Sequence, residues 1–530
     1  MKASIQICGT GSDVGKSVIV TALCRIFLQD GFKVCPFKAQ NMSLNSFVTK
    51  QGEEMGRAQV TQAQSSKIEP DADMNPVLIK PTSNVGSQII VHGKPIGNMT
   101  AREYQNKENK IKLFANVKKS LERLKKKYEV IVIEGAGSPA EINLKVHDIV
   151  NMRIAHLTNS PVILVGDIDK GGVFASLVGT MELLDAKDKR MIKGFIINKF
   201  RGDKELLKGG IDFLEKKTKR PVLGVIPYFK DIRLPQEDSV VLEKMGTAPI
   251  FSTSNNILKN GRCPHLNIAV IQLPHISNFT DFNALEYEPD VRLSYITKKE
   301  ELKNQDVIII PGTKNTIQDL LWMRNSGIAQ EITQDIKSKN NAPVLIGICG
   351  GYQILGRRIL DPHKIESEQK EIQGLGILPM TTTLGVKKAL SQIEAIEIKT
   401  KLKVTGYEIH HGKTISLGNY TPMFKITAKE RLDGAILDNG RVWGTYLHGV
   451  FDNNIFRRTF LNNIRHGLGL KSLPVQKDAY NLENEFDKLA GLVRENVDMK
   501  MIYELMKLST KNRHCEEPSL DMSVTKQSRF

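Results

Sequence analysis

The chain has 530 residues, more than one hydrophobic core usually serves, so two or three domains are expected. No apolar stretch is long enough to cross a bilayer and no signal-peptide core opens the sequence, so we expect a cytoplasmic protein without a membrane partner. The net charge of +17 favours a polyanionic partner, either a nucleic acid or a small polyanion together with a nucleotide. None of the six cysteines forms a CxxC pair, which argues against a zinc site or a disulfide framework.

Short β-branched runs alternate with longer amphipathic segments in the first half of the chain. This alternation predicts an α/β domain with a doubly wound parallel sheet, ending near residue 245. Helices are predicted over 16–29 and 205–218. The strands predicted for this domain are 3–9, 33–38, 129–135, 161–167, 194–199 and 221–227.

The second half of the chain repeats this alternation after a polar, aperiodic segment. Residues 246–266 are predicted to be a linker, and residues 267–465 a second α/β domain. We expect terminal helices over 466–508 and a disordered tail over 509–530. The β segments predicted for the second domain are 267–274, 305–312, 343–351, 406–415 and 440–451.

The motif GTGSDVGKS lies between the first predicted strand and the first predicted helix. Such a loop directs backbone N–H groups at phosphate, so we expect Gly11 and Gly15 to lie against a nucleotide. Lys16 would contact the outer phosphates, and the Ser17 hydroxyl would bind Mg²⁺. Thr10 stands where the standard phosphate loop has its first glycine, so the pattern alone also fits an ordinary strand-to-helix turn.

Carboxylates end two of the predicted strands, at the edge where the phosphate loop is expected. Glu134 is predicted to hold Mg²⁺ directly or through water, with a helix cap as the alternative. Asp167 and Asp169 end another strand in the same way. The sequence does not rank these carboxylates as metal ligands.

Cys349 stands in the motif GICGGYQ, where an apolar run meets a helix-like segment. A nucleophile on such a turn projects above the sheet and leaves N–H groups for an oxyanion hole, which we assign to Gly350 and Gly312. A helix that begins after the cysteine favours the thiolate. His448 in GTYLHGVF is the preferred general base. The alternative histidines are His275, His410 and His411.

The motif GICGGYQ followed by GTYLHG resembles the class I glutamine amidotransferase domain, which implies a flavodoxin-like fold. Further motifs resemble, in the right order, the cobyric acid synthase family, and the resemblance runs from the N-terminus to about residue 465. The N-terminal half is similar to dethiobiotin synthetase-like ATP-binding domains, whose phosphate loop has the same widened glycine spacing. The motifs that carry the family resemblance lie at 36–46, 134–144, 165–180, 198–203, 311–316 and 406–412.

The resemblance implies a cobalamin-biosynthesis enzyme that uses ATP, Mg²⁺ and L-glutamine. The family substrate is adenosylcobyrinic acid a,c-diamide, whose b, d, e and g carboxylates become amides, and the basic charge suits this polyanion. The resemblance implies no nucleic-acid partner and allows a homo-oligomer. The closest alternatives are cobyrinic acid a,c-diamide synthase and another P-loop-fused amidotransferase. A DNA-binding nucleotide switch is a more distant one, against which the cysteine–histidine pair argues.

One position departs from the triad-type amidotransferases that the motifs resemble. Most of them carry a glutamate two residues after the histidine, whereas this sequence has Val450. The resemblance therefore predicts a dyad of Cys349 and His448 whose orienting partner is unassigned. Glu408 is one candidate for that partner.

Overall fold

The computed structural model describes most of the chain. The predicted linker at 246–266 lies mainly outside the described residues, and so does the predicted tail beyond residue 509. Within the described part, no helix has both the length and the apolarity needed to cross a bilayer. The described residues are 3–81, 86–145, 148–235, 265–337, 342–367, 369–418, 420–428, 430–437, 440–476 and 480–509.

The N-terminal half is built on a parallel sheet of six strands, as the alternating pattern predicts. The strands of this half are β1 (Ala3–Gly9), β2 (Val34–Phe37), β3 (Gln40–Met42), β4 (Ser46–Val48), β5 (Glu54–Gly56), β6 (Val77–Pro81), β7 (Gly86–Val91), β8 (Lys94–Thr100), β9 (Val130–Glu134), β10 (Val162–Asp167), β11 (Ile192–Phe200) and β12 (Val222–Pro227). The main sheet has the order β12-β11-β10-β1-β9-β2. Its strands are apolar and largely buried because helices cover both faces.

The helices of this half connect the parallel strands. They are α1 (Lys16–Gln29), α2 (Arg57–Ser65), α3 (Ala101–Tyr104), α4 (Lys107–Lys127), α5 (Met152–Thr158), α6 (Val173–Leu183), α7 (Ala186–Met191) and α8 (Lys208–Thr218). Strand β1 pairs in parallel with β9 and β10, so that Ile7 lies beside Glu134 and Gly9 beside Val165. This register brings the phosphate loop and Glu134 to the same edge of the sheet.

Two small sheets lie between β2 and β9, and the sequence pattern predicts neither. One has the order β3-β6-β7-β8, and the other is the pair β4-β5. Their strands are short, and β8 is largely exposed, so the alternation of buried residues that marks a strand is weak there. Strand β4 of this insertion contacts the C-terminal half at its strands Met380–Glu397 and Lys403–Ser416.

The C-terminal half contains a second, mainly parallel sheet. The strands of this half are β13 (Leu266–Ile271), β14 (Val291–Ile296), β15 (Val307–Ile310), β16 (Val344–Ile348), β17 (Arg358–Leu360), β18 (Glu371–Gln373), β19 (Met380–Glu397), β20 (Lys403–Ser416), β21 (Phe424–Ile426), β22 (Leu432–Asp433), β23 (Ala435–Ile436) and β24 (Val442–Thr445). The sheet order is β14-β13-β15-β16-β24-β23, with only β23 antiparallel to its neighbour. The long hairpin β19–β20 belongs to a separate sheet and contacts the β4–β5 insertion.

The helices of the C-terminal half fall into two groups. Those of the second α/β domain are α9 (Asn283–Glu286), α10 (Thr316–Asn325), α11 (Ile328–Lys337), α12 (Gly350–Leu355) and α13 (Asn454–Gly467). The last two, α14 (Leu482–Asn496) and α15 (Met499–Met506), return to the N-terminal half. There Arg25 of α1 pairs with Asp487 at 2.7 Å and with Glu483 at 2.8 Å. The exact domain limits remain a prediction.

Candidate active sites

The loop between β1 and α1 has the geometry of a phosphate site. Gly15 takes a φ of 100°, and a Cβ atom there would lie 2.1 Å from Asn198 Nδ2, so only glycine fits this turn. The ammonium of Lys16 donates to the carbonyls of Gly11 at 2.7 Å and Gly137 at 3.3 Å. The loop therefore folds around the Lys16 ammonium. It lies at the N-terminus of α1, a helix of fourteen residues.

Glu134 is the carboxylate that the structure brings to the phosphate loop. It is fully buried, and its Oε1 accepts from the Ser17 hydroxyl and from the Lys38 ammonium, each at 2.8 Å. Its Oε2 accepts from Gln62 at 2.5 Å and from Gln59 at 3.4 Å. A hydroxyl and a carboxylate in contact beside a phosphate loop are the oxygen donors that Mg²⁺ prefers.

The other two acidic candidates are tied to neighbouring cations. Asp167 accepts from Lys199 at 2.8 Å, and Asp169 pairs with Arg201 at 2.9 Å. The structure therefore brings Glu134 rather than these aspartates into contact with Ser17. Among the residues described, no group of three or more metal-ligating side chains occurs, so any metal would rely on a hydroxyl or a phosphate as well.

Cys349 lies between β16 and α12 on a tight turn. Its backbone has φ 51° and ψ −106°, a strained combination for a residue with a side chain. A Cβ atom on Gly351 would lie 1.9 Å from the carbonyl oxygen of Ile310, so the turn closes against β15 only with glycine there. The first N–H groups of α12, including that of Gly350, have no partner within the helix and can donate hydrogen bonds to an anion.

His448 follows β24 and lies at the same edge of the sheet as Cys349. Its Nδ1 is 2.6 Å from Oδ2 of Asp281, whose Oδ1 accepts from the Gly449 N–H at 3.1 Å. Burial opposes protonation of His448, but Asp281 and Cys349 outweigh it and raise its pKa to about 10. A Cβ atom on Gly312 would come within 3.0 Å of the imidazole, so this glycine also belongs to the site.

The alternative residues named from the sequence have other partners. His275 pairs with Asp319 at 2.7 Å, and His411 contacts the Gly385 carbonyl at 3.0 Å. His410 stacks on Tyr446, and burial lowers its pKa to about 4. The suggestion of Glu408 as the orienting group is wrong, because its carboxylate pairs with Arg431 while Asp281 contacts the histidine. Sequence reasoning missed Asp281 altogether.

The two halves meet through buried polar contacts beside His448. The Ser46 N–H donates to Asn278 Oδ1 at 3.2 Å, and the Tyr407 hydroxyl donates to the Ser46 carbonyl at 3.3 Å. A cavity of about 690 Å³ runs from Lys16 to Phe279, two residues before Asp281. Its lining includes the phosphate-loop residues and Phe279 of the C-terminal half, but neither Cys349 nor His448.

Comparison with known proteins assigns both halves. Residues 5–241 match the CobQ/CobB/MinD/ParA nucleotide binding domain, and residues 267–456 match the CobB/CobQ-like glutamine amidotransferase domain. A cobyric acid synthase from Clostridium botulinum (strain ATCC 19397 / Type A) is 51% identical over 95% of this chain and 99% of its own length. The chain belongs to the cobyric acid synthase family. The predicted family and the predicted pair of α/β folds are thereby confirmed.

Two further relatives of the cobyric acid synthase family have similar coverage of this chain. The cobyric acid synthase of Pelotomaculum thermopropionicum is 47% identical over 96% of this chain and 97% of its own length. An adenosylcobalamin biosynthesis bifunctional protein CobDQ of Leptospira interrogans is 47% identical over 95% of this chain, which spans 57% of that protein. The similarity to these relatives therefore covers 95–96% of the chain.

Proposed function

We propose that this chain converts adenosylcobyrinic acid a,c-diamide to adenosylcobyric acid by amidating the b, d, e and g carboxylates. ATP activates each carboxylate and L-glutamine supplies the nitrogen. The observation that carries this proposal is that a member of the cobyric acid synthase family contains both a phosphate loop with a buried carboxylate and a buried cysteine–histidine site. The proposed partners are three small molecules in the cytoplasm and no nucleic acid, and a homo-oligomer remains compatible with the proposal.

The cysteine site would hydrolyse glutamine. The Cys349 thiolate attacks the side-chain carboxamide carbon, while the N–H groups of Gly350 and Gly312 hold the oxyanion. His448 gives its proton to the leaving ammonia and then removes a proton from the water that releases glutamate. Asp281 accepts a hydrogen bond from the imidazole Nδ1 and orients the ring. It would thus be the orienting partner that the sequence left unassigned for the dyad.

The phosphate loop would drive the amidation. The γ-phosphoryl group of ATP is transferred to a substrate carboxylate, and ammonia then attacks the acyl carbon and displaces phosphate. Lys16, which contacts the Gly11 carbonyl in the loop, would bind the outer phosphates, and Gly11 and Gly15 would lie against the nucleotide. Mg²⁺ held by Ser17 and Glu134 would neutralise charge on the phosphates. Ammonia released at Cys349 would pass to the phosphate-loop site, and keeping it out of bulk water would keep it unprotonated.

The test separates the two half-reactions. Wild type and Cys349→Ala are each assayed for corrinoid amidation with glutamine and with ammonium. We expect the variant to lose the glutamine-driven reaction and keep the ammonium-driven one. Loss of both would remove Cys349 from its proposed role as a glutaminase nucleophile.

A second arm of the same experiment tests the substrate. Wild type is offered adenosylcobyrinic acid a,c-diamide and, separately, cobyrinic acid without amides. Amidation of the first alone is expected. Preference for the second would instead favour cobyrinic acid a,c-diamide synthase activity, and glutamine hydrolysis without use of either corrinoid would leave only the amidotransferase assignment standing.

A further inference from the structure

The cavity at the phosphate loop has a further wall outside the loop itself. This wall is formed by β3, by Lys110 of α4 and by residues of the segment before α5. Two large apolar side chains, Met42 and Leu144, face this part of the cavity and are 56% and 42% exposed. An exposed apolar pair on a cavity wall is suited to a large organic ligand.

Lys110 is the unusual cation of this wall. It is 5% exposed and lines the cavity, and its ammonium lies 3.9 Å from the ring centroid of Tyr104. Over the described parts of the chain, no carboxylate or other acceptor lies within hydrogen-bond distance of this ammonium. Other lysines on the same cavity wall are paired, Lys38 with Glu134 at 2.8 Å and Lys145 with Asp185 at 2.9 Å.

A buried ammonium without a hydrogen-bond acceptor is unfavourable unless a ligand supplies one. Burial lowers the pKa of Lys110 to about 8, with Asp148 as the opposing charge, so the side chain is still protonated at neutral pH. The face of Tyr104 stabilises the cation only in part, and the Tyr104 hydroxyl donates to Gln40 at the start of β3. The Lys110 ammonium therefore places a positive charge at the cavity wall, and its N–H groups can donate to a ligand.

We propose that Lys110 binds a peripheral carboxylate of the corrinoid substrate, other than the one being amidated. This inference rests on the proposed function. The phosphates of the nucleotide would be held by the loop at Lys16, whereas Lys110 comes from α4 and a polycarboxylate substrate extends past the reacting group. Met42 and Leu144 would then lie against its apolar ring system.

The experiment compares wild type with Lys110→Met and Lys110→Arg. Equilibrium dialysis gives the Kd for adenosylcobyrinic acid a,c-diamide, and steady-state amidation with ammonium gives the KM. We expect Lys110→Met to raise both the Kd and the KM for the corrinoid about tenfold or more, the effect of losing one charge-assisted hydrogen bond. The KM for ATP and the rate of glutamine hydrolysis should stay unchanged. Lys110→Arg should restore binding, and Lys107→Met, an exposed site on the same helix, is the matched control.

A pH series adds a readout that a structural defect would not give. The corrinoid Kd of wild type should rise above about pH 8 as Lys110 loses its proton, and Lys110→Arg should abolish this rise. An unchanged corrinoid Kd in Lys110→Met, or a raised KM for ATP instead, would overturn the proposal. If wild type binds the corrinoid but does not amidate it, the proposed function fails while the binding comparison still decides the role of Lys110.

A separate set of contacts joins helix α2 of the N-terminal half to His448. The guanidinium of Arg57 lies 5.6 Å from the ring centroid of Phe47, and that ring lies 5.0 Å from Tyr407. Tyr407 in turn stacks on His448 with centroids 5.3 Å apart and planes 17° from parallel. The first residue of α2 is therefore linked to the histidine through two aromatic rings.

Arg57 is 6% exposed, and its Nε has no hydrogen-bond partner among the residues described. The charged and titratable groups that act on it, apart from Tyr407, are Tyr480, Asp452 and Asp281. Burial raises the pKa of Asp452 to about 7, and Arg57 is the first of the charges that oppose this rise. A cation from the N-terminal half thus balances the carboxylates around His448.

We infer that Arg57 is a positioning residue for His448, so that the cysteine site is complete only with the N-terminal half in place. Arg57→Gln should lower kcat for glutamine hydrolysis about tenfold with little change in KM, because Cys349 and its surroundings still bind glutamine. Ammonium-driven amidation should persist, and Arg57→Lys should recover much of the loss. Arg153→Gln, which removes a cation from the Phe114 ring of α4, is the control. Equal kcat in Arg57→Gln and wild type, or a loss confined to KM, would overturn the inference.

Discussion

His448 and Asp281 are 167 residues apart in sequence, yet Nδ1 of the histidine lies 2.6 Å from Oδ2 of the aspartate. Both side chains are buried, with 1% and 4% exposure. The second carboxylate oxygen accepts from the Gly449 N–H, so the aspartate is held to the loop that carries the histidine. Asp281 thus stands where the glutamate missing at position 450 would act, but it comes from the segment after β13.

Asp281→Asn tests the role of this carboxylate. The amide can no longer stabilise the imidazolium and can favour the wrong tautomer, so glutamine hydrolysis should fall about 100-fold or more. Ammonium-driven amidation should be retained. Glu408→Gln is the control, because that carboxylate pairs with Arg431 instead. Equal losses in the two variants would argue against a specific role for Asp281.

The pH profile of glutamine hydrolysis gives a second prediction. Because the pKa of His448 is raised to about 10, the proton needed by the leaving ammonia should persist through neutral pH and be lost only as pH rises through that value. Asp281 is the foremost contribution to that rise, so Asp281→Asn should move the alkaline limb to lower pH. An alkaline limb that stays in place in the variant would contradict the assignment of this limb to His448.

Glu134→Gln should impair amidation and spare glutamine hydrolysis, whereas Cys349→Ala should do the reverse. Glu134 accepts from Ser17 and Lys38, and its loss removes a charged oxygen donor from the phosphate site. We expect amidation to fall about 100-fold with either nitrogen source, while glutamine hydrolysis without corrinoid changes little. Asp169→Asn, at a carboxylate paired with Arg201, is the matched control and should leave amidation near wild type.

Gly351→Ala tests how closely the cysteine turn is packed. The added methyl would lie 1.9 Å from the Ile310 carbonyl oxygen, so the backbone must shift and the free energy of unfolding should fall by about 1–3 kcal/mol. Glutamine hydrolysis should fall as well, because the shift displaces Cys349. Gly491→Ala lies within α14 with open space around it and should stabilise the protein by about 1 kcal/mol. Thermal unfolding and glutaminase assays of both variants provide the check.

Most strands of the parallel sheets were predictable because they are buried on both faces, whereas β14 (Val291–Ile296), with Arg292 exposed, was not predicted. The runs predicted over 3–9 and 161–167 correspond to β1 (Ala3–Gly9) and β10 (Val162–Asp167). The β19–β20 hairpin was only partly predicted, over 406–415, because its exposed residues break the apolar alternation. Local pattern was sufficient wherever burial was continuous along a strand.

The candidate sites divide in the same way. The segments around Lys16 and Cys349 can be recognised from the sequence, because a glycine-rich turn before a helix is formed by consecutive residues. Asp281 has none, since its partner comes from a distant loop that only the folded sheet brings near. The proposed roles of Lys110 and Arg57 were missed for the same reason. Each role depends on the residues that surround the side chain in the fold, and these are distant in sequence.

The return of α14 and α15 to the N-terminal half has a consequence for synthesis of the chain on the ribosome. Leu489, Val493 and Ile502 share one hydrophobic core with Ile19 and Val20 of α1. The first domain to emerge therefore keeps one apolar helix face uncovered until the whole glutaminase has been translated. A nascent chain that stalls before residue 482 would expose this face to chaperones, and the ATP site would mature last although its phosphate loop is made first.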